Sequence, residues 1–409
     1  MKEENRYTLT TFSNGLRAVC YQRSGLVSYI GVAVNAGSRD ESERCEGLAH
    51  FVEHTIFKGT SKRKAWQISS RMEIVGGEIN AYTSKEETVV YTNAPSGYED
   101  RALELLADLI TSSCFPEKEI DKEREVIVEE IYSYLDSPSE RVYDEFEELA
   151  YKGSGLSHNI LGSPESVRNI RGEDCRKFLD SFYKATDMVV YCVTPLADDV
   201  MMHKVEKYFG KIASGKDHHH RVTPSVMEKF DILRDNGTHQ ANTIMGTRLF
   251  GRNDERRFAL YLLNNYLGGS CMNSRLNREL REKRGLVYMV ESAVSLLSDT
   301  GLLLIYFGCD PSNVNKCRKI IKREIAGICE NKLSASALER IKRQYCGQLL
   351  ASSDNIENRA ISLGKSILYF DRIVDISVTA DRIMQVTPQD FLDVAQLIGD
   401  DSLSTLTLT

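Results

Sequence analysis

Long apolar runs are missing from this 409-residue sequence: nowhere do 18 or more apolar residues follow one another, which excludes a membrane-spanning helix. Proline is scarce, with 8 in the chain, and the 42% hydrophobic and 27% charged content is that of a soluble globular protein. The opening stretch, MKEENRYTLTTFSNG, lacks both the apolar core of a signal peptide and the arginine-rich, acid-poor bias of a transit peptide, so a cytoplasmic address is expected. Ten cysteines are present but no CxxC pair, which argues against a zinc ribbon or a disulfide framework. Most sit in apolar surroundings, such as Cys192 in MVVYCV, and read as reduced core residues. A net charge of -7 disfavours nucleic acid as a main partner and is compatible with a basic substrate.

What is there falls into two halves, as the length of the chain leads one to expect. The first half alternates strand-like segments (NGLRAVCYQ, SYIGVAVNAGS, EINAYTS, ETVVYTNAP, DMVVYCVTP) with helix-like ones (GLAHFVEHTIF, AWQISSRMEIVG, YEDRALELLADLITS, PEKEIDKEREVIVEEIYSYL). The pattern dissolves in SGKDHHHRVTPSV and then restarts: ANTIMGTRLFG stands where the first apolar strand stood, and DERRFALYLLNNYLGG where the GLAHFVEH helix stood. The expected architecture is α+β, with two similar domains, each a mostly antiparallel sheet with helices packed on one face. The expected boundaries are 1–213, a linker at 214–226, and 227–409. His218, His219 and His220 read as part of a solvated linker, and His158, His203 and His239 as structural.

The segment His50-Phe51-Val52-Glu53-His54 carries chemistry. On a helix, His50 and His54 leave the same face one turn apart, and two imidazole nitrogens so placed can reach one Zn²⁺ at about 2.0–2.1 Å. Glu53 points toward that face, placed to take a proton from water that the metal has acidified to a pKa of about 7. A catalytic zinc needs a third protein ligand and an open position, and spacing within HFVEH does not supply it. The bland alternative is a helix with two satisfied core histidines.

HxxEH is the inverted-zincin motif, and GLAHFVEHTIFKGT resembles the corresponding stretch of pitrilysin/insulinase peptidases. The resemblance runs from SNGLRAV to LSTLTLT and implies a third ligand far downstream: Glu130, 76 residues beyond His54, in the run Glu123 to Glu130. It also implies that Glu123, two turns earlier on the same face, orients a ligand histidine. Glu129 lies about 100° around that helix and is expected in solvent. One Zn²⁺ per chain follows. GGEINAYTSKEETVVY resembles the family's edge strand, to which substrate adds as a further strand along Asn80, Ala81 and Tyr82; by composition alone a plain hairpin fits equally. Arg281 and Tyr288 match the family's RxxxxxxY element, which implies binding of the substrate backbone and of the tetrahedral oxyanion. Closest is the branch of the mitochondrial-type processing peptidase catalytic subunit, which the short Leu267-Gly268-Gly269-Ser270 loop resembles. That likeness implies a wall of the substrate pocket at Phe57, and at Glu140 and Asp144 an acidic pair for a substrate arginine, although a solvated acidic face reads equally well. The implied activity is that of a zinc endopeptidase acting on unfolded peptides or leader-type segments. The alternative is a non-catalytic assembly subunit of the same fold. A homodimer is expected, with a zinc-less sister chain as the alternative partner, and neither nucleic acid nor membrane.

Overall fold

A computed structural model describes residues 7–215, 219–399 and 402–409. In chain order the first elements are β1 (Tyr7–Thr11), β2 (Arg17–Gln22), β3 (Val27–Val34), α1 (Leu48–Thr55) and α2 (Ala65–Glu73). They are followed by β4 (Glu78–Thr83), β5 (Thr88–Pro95), α3 (Glu99–Ser112), α4 (Glu117–Leu135) and α5 (Pro138–Ala150). Next come α6 (Pro164–Asn169), α7 (Gly172–Phe182), β6 (Met188–Thr194) and α8 (Asp198–Phe209). The later half holds β7 (Asp231–Arg234), β8 (Ala241–Leu249), α9 (Arg257–Gly268), β9 (Val287–Leu296) and β10 (Gly301–Cys309). It ends in α10 (Val314–Glu330), α11 (Ala335–Ser352), α12 (Ile356–Phe370), α13 (Ile376–Gln385), α14 (Pro388–Leu397) and β11 (Ser404–Leu408). None of the helices is long and apolar enough to cross a membrane, among the described residues.

Two sheets form, ordered β1-β2-β6-β3-β5-β4 and β7-β11-β8-β10-β9. Beyond β1 the second order repeats the first strand for strand, and each sheet has one parallel pair, β2 with β6 and β7 with β11. The expected α+β class and the internal duplication are both present.

Each sheet is covered on both faces, where one covered face was expected. In the first, β2, β3, β5 and β6 send one set of residues into a core with α1, α3, α7 and α8. Their alternate set, including Val19, Ala33, Val89, Tyr191 and Val193, packs on Ala360, Leu363 and Ile367 of α12. The second sheet meets α9, α10 and α14 on one face and Val142 and Phe146 of α5 on the other. The two outer helices are therefore exchanged along the sequence. One compact unit comprises 1–132, 158–222 and 353–374, and the other 133–157, 223–352 and 375–409, not the contiguous halves expected. The physical cause is the double-sided burial of the central strands: β6 is buried at all seven positions, and such strands need a helix on either side.

The expected linker is only partly solvated. Lys216, Asp217 and His218 lie outside the described residues. His219 sits half-buried on the first unit, its Nδ1 2.9 Å from Asp40 Oδ1 and its ring stacked on Phe182 with centroids 5.4 Å apart. Arg221 donates to Asp40 (2.6 Å) and Asn35 (3.0 Å). Burial disfavours charge on His219, but Asp187 and Asp40 outweigh it and push its pKa up to about 9.

Candidate active site

The helix α1 is amphipathic in an unusual sense, since Leu48, Ala49, Phe51, Val52 and Thr55 are buried along with His50. Its start is fixed by Glu41, a buried carboxylate that accepts the Gly47 and Ala49 N–H groups at 2.8 and 2.6 Å. These donors have no partner within the helix, and a negative charge there also suits the helix dipole. His158 Nε2, 3.0 Å from Glu41, completes the anchor and confirms its structural reading. Gly47 has φ 91°, and a Cβ there would meet the Leu161 carbonyl oxygen at 2.5 Å, so only glycine fits this entry.

The long helix α4 brings Glu123 and Glu130 to α1. Ile120, Ile127 and Ile131 anchor its inner side, and Glu123 and Glu130 follow the edge of that same stripe. His54 Nε2 lies 3.4 Å, and His50 Nε2 3.9 Å, from Glu130 Oε2. Around a tetrahedral zinc with bonds of about 2.0–2.2 Å, neighbouring ligand atoms stand about 3.3–3.6 Å apart; the His54 spacing falls in that range, and His50, at 3.9 Å, stands slightly wide of it. Among the described residues this is the one group of three or more such side chains whose donor atoms converge. Glu129 is exposed, as expected.

His54 Nδ1 is 3.4 Å from Glu123 Oε2, an acceptor that would hold the Nδ1 proton when Nε2 ligates a metal. Burial, then the charge of His54, push His50 down to about 4 against the pull of Glu130, so His50 is neutral at pH 7 and ready to bind. On His54, burial is outweighed by Glu130, Glu53 and Glu123, and its pKa rises. Glu130 is held below the ordinary carboxylate range, first by its hydrogen bond with His54. Burial raises the Glu53 carboxyl, although a hydrogen bond from Thr83 works against it. Glu53 Oε2 is buried with no hydrogen-bond partner among the described residues, leaving an acceptor open.

Thr83 is the last residue of β4, and β4 is the outer strand of its sheet, paired on one side by β5. Asn80, Ala81 and Tyr82 thus lie on an edge that runs up to the Glu53 carboxylate. Phe57 is half-buried against the first core, in the turn after α1. Arg281, Tyr288, Glu140 and Asp144 belong to the other unit. Arg281 is exposed in a short helix, Asn277–Glu282, and Tyr288 is 65% exposed on β9, the outer strand of the second sheet. Glu140 is exposed on α5 and Asp144 half-buried. Sequence reasoning missed Lys58, whose Nζ lies 2.7 Å from Glu123 Oε1. The signal was its position, four residues after His54, but an exposed surface lysine reads the same way.

Residues 18–164 match the family model described as Insulinase (Peptidase family M16), and residues 169–345 that described as Peptidase M16 inactive domain. The chain is 33% identical to an uncharacterized zinc protease of Streptomyces coelicolor, over 95% of this chain and 86% of that one. It is 34% identical to the uncharacterized zinc protease YmxG of Bacillus subtilis, over 88% and 87%. Among solved structures, a protease from Helicobacter pylori superposes with TM-score 0.89 at 23% identity, over 99% of this chain and 100% of that one. A peptidase M16 inactive domain from Pseudomonas fluorescens gives 0.90 at 18% identity, over 98% and 97%. At these identities the two structures speak for the fold.

Proposed function

Because this chain belongs to the insulinase family of M16 peptidases, we propose that it is a zinc-dependent endopeptidase that cuts unfolded peptides or leader-type segments. The observation that carries this reading is the convergence of His50 and His54 from α1 with Glu130 from α4, beside a carboxylate with an open acceptor. The family model described as inactive begins at residue 169, beyond every member of this cluster.

His50, His54 and Glu130 would hold one zinc ion. When bound, zinc supplies a Lewis acid that acidifies water and polarises a peptide carbonyl. Glu53 takes the proton of the attacking water on Oε2 and hands it to the nitrogen of the departing amine. Its raised pKa suits the second half of that task, because a protonated carboxyl must survive long enough to donate. Glu123 keeps His54 in the Nδ1–H form. The β4 edge offers its backbone groups near Asn80, Ala81 and Tyr82 to an extended peptide, whose side chains then matter little for binding. Phe57 lines the place of the residue after the cut. Arg281 and Tyr288 serve as donors to the oxyanion and the substrate backbone. Glu140 and Asp144 favour an arginine before the cut. A homodimer that supplies Arg281 and Tyr288 across subunits completes the reading, as does a cytoplasmic workplace, which ten free thiols support.

Cleavage of a quenched, arginine-containing peptide, with and without a chelator, tests the proposal. Cutting that stops with the chelator and resumes with added zinc is expected. Zinc bound without any cutting would favour the assembly-subunit reading.

A further inference from the structure

We propose that Lys58 is a positioning residue of the metal centre, acting on His54 through Glu123. The inference rests on the reading of His50, His54 and Glu130 as a zinc site and deepens it.

Glu123 is gripped from two sides. Its Oε2 faces His54 Nδ1 at 3.4 Å, and its Oε1 takes the Lys58 ammonium at 2.7 Å. Both partners come from one stretch of chain. His54 lies in the last turn of α1, and the Lys58 N–H bonds back to the Thr55 carbonyl at 3.0 Å. Glu123 comes from α4, so the three groups latch the two helices that carry the ligands. The pair is not an ordinary surface ion pair of small effect: the Glu123 side chain is 11% exposed and that of Lys58 30%. A buried carboxylate that loses the partner of one oxygen swings to find another, toward water. That movement costs His54 the acceptor that fixes its ring plane.

Zinc affinity, read by competition with a chromophoric chelator, tests the assignment without recourse to turnover. Lys58→Met and Lys58→Gln should each weaken zinc binding by about tenfold, the low end for groups that hold a ligand from behind. Lys58→Arg keeps the cation and should restore the wild-type value. On a Glu123→Gln background, Lys58→Met should cost nothing further, because its target is already gone. Wild-type affinity in both Met and Gln variants would overturn the proposal, as would an undiminished loss on the Glu123→Gln background. Failure of the underlying reading looks different: the wild-type chain itself would bind no zinc, or Glu130→Gln would bind it unimpaired.

Discussion

Glu129 and Glu130 are chemically identical neighbours on α4, and about 100° of helical rotation separates their fates. One is exposed, while the other brings Oε2 to 3.4 Å from His54 Nε2. Glu130→Gln is expected to weaken zinc binding by well over tenfold, and Glu129→Gln to leave it unchanged, in an equilibrium titration. Equal effects would refute the ligand assignment. Glu53→Gln keeps the shape of the side chain but cannot receive a proton. It should retain zinc and lose about 10²- to 10⁴-fold in kcat, the usual share of a general base. At this scale much of the proposed site was legible in the sequence, because HxxEH is a local motif whose geometry follows from the helix alone. Thr83 and Lys58 were not legible, since their partners Glu53 and Glu123 lie 30 and 65 residues away.

Among the elements, the segment 219–222 behaves as a strap fastened to the first unit, where sequence composition suggested loose chain. His219 and Arg221 close on Asp40, next to the Glu41 carboxylate that anchors α1. His219 binds its proton more tightly in the folded state, with a pKa pushed up to about 9. Its contribution is thus complete below its ordinary value of about 6.5 and is lost as pH rises through about 9. Asp40 has the opposite sign: burial alone would raise it, but His219 and Arg221 hold it below its ordinary value. Its contribution is present above about 4 and lost as pH falls further. Urea unfolding of wild type and His219→Ala should therefore differ most near pH 6 and converge by about pH 10. A difference that stays constant across this range would show that His219 does not titrate with folding. The edge position of β4 was an inference from resemblance, and only the strand order established it.

For the whole molecule, the decisive feature is the exchange of α5 and α12 between the two halves of the sequence. A fragment ending at residue 213 would carry His50, Glu53, His54, Lys58, Glu123 and Glu130 but lack α12. Leu363 and Ile367 would no longer cover Val19, Tyr191 and Val193, a loss of about 2 kcal/mol for each large side chain. We expect that fragment to unfold without a cooperative transition in circular dichroism. A sharp transition like that of the full chain would mean that α12 is dispensable. Mixed chains address the proposed dimer: Glu53→Gln and Tyr288→Phe proteins, each nearly inactive, should regain part of the activity when combined. No recovery would place both contributions in one chain.

The two-fold repeat, the α+β class and the placing of His50, Glu53 and His54 on one helix follow from the sequence alone. Each of these is encoded in alternation or spacing over a few turns, where the backbone's own periodicity does the folding. Tertiary structure alone decided which helix closes each sheet, which residues hold Glu123 and Glu53, and where the linker is tied. Those contacts join residues tens to hundreds of positions apart, and double-sided burial of a strand such as β6 demands a second helix without naming which one.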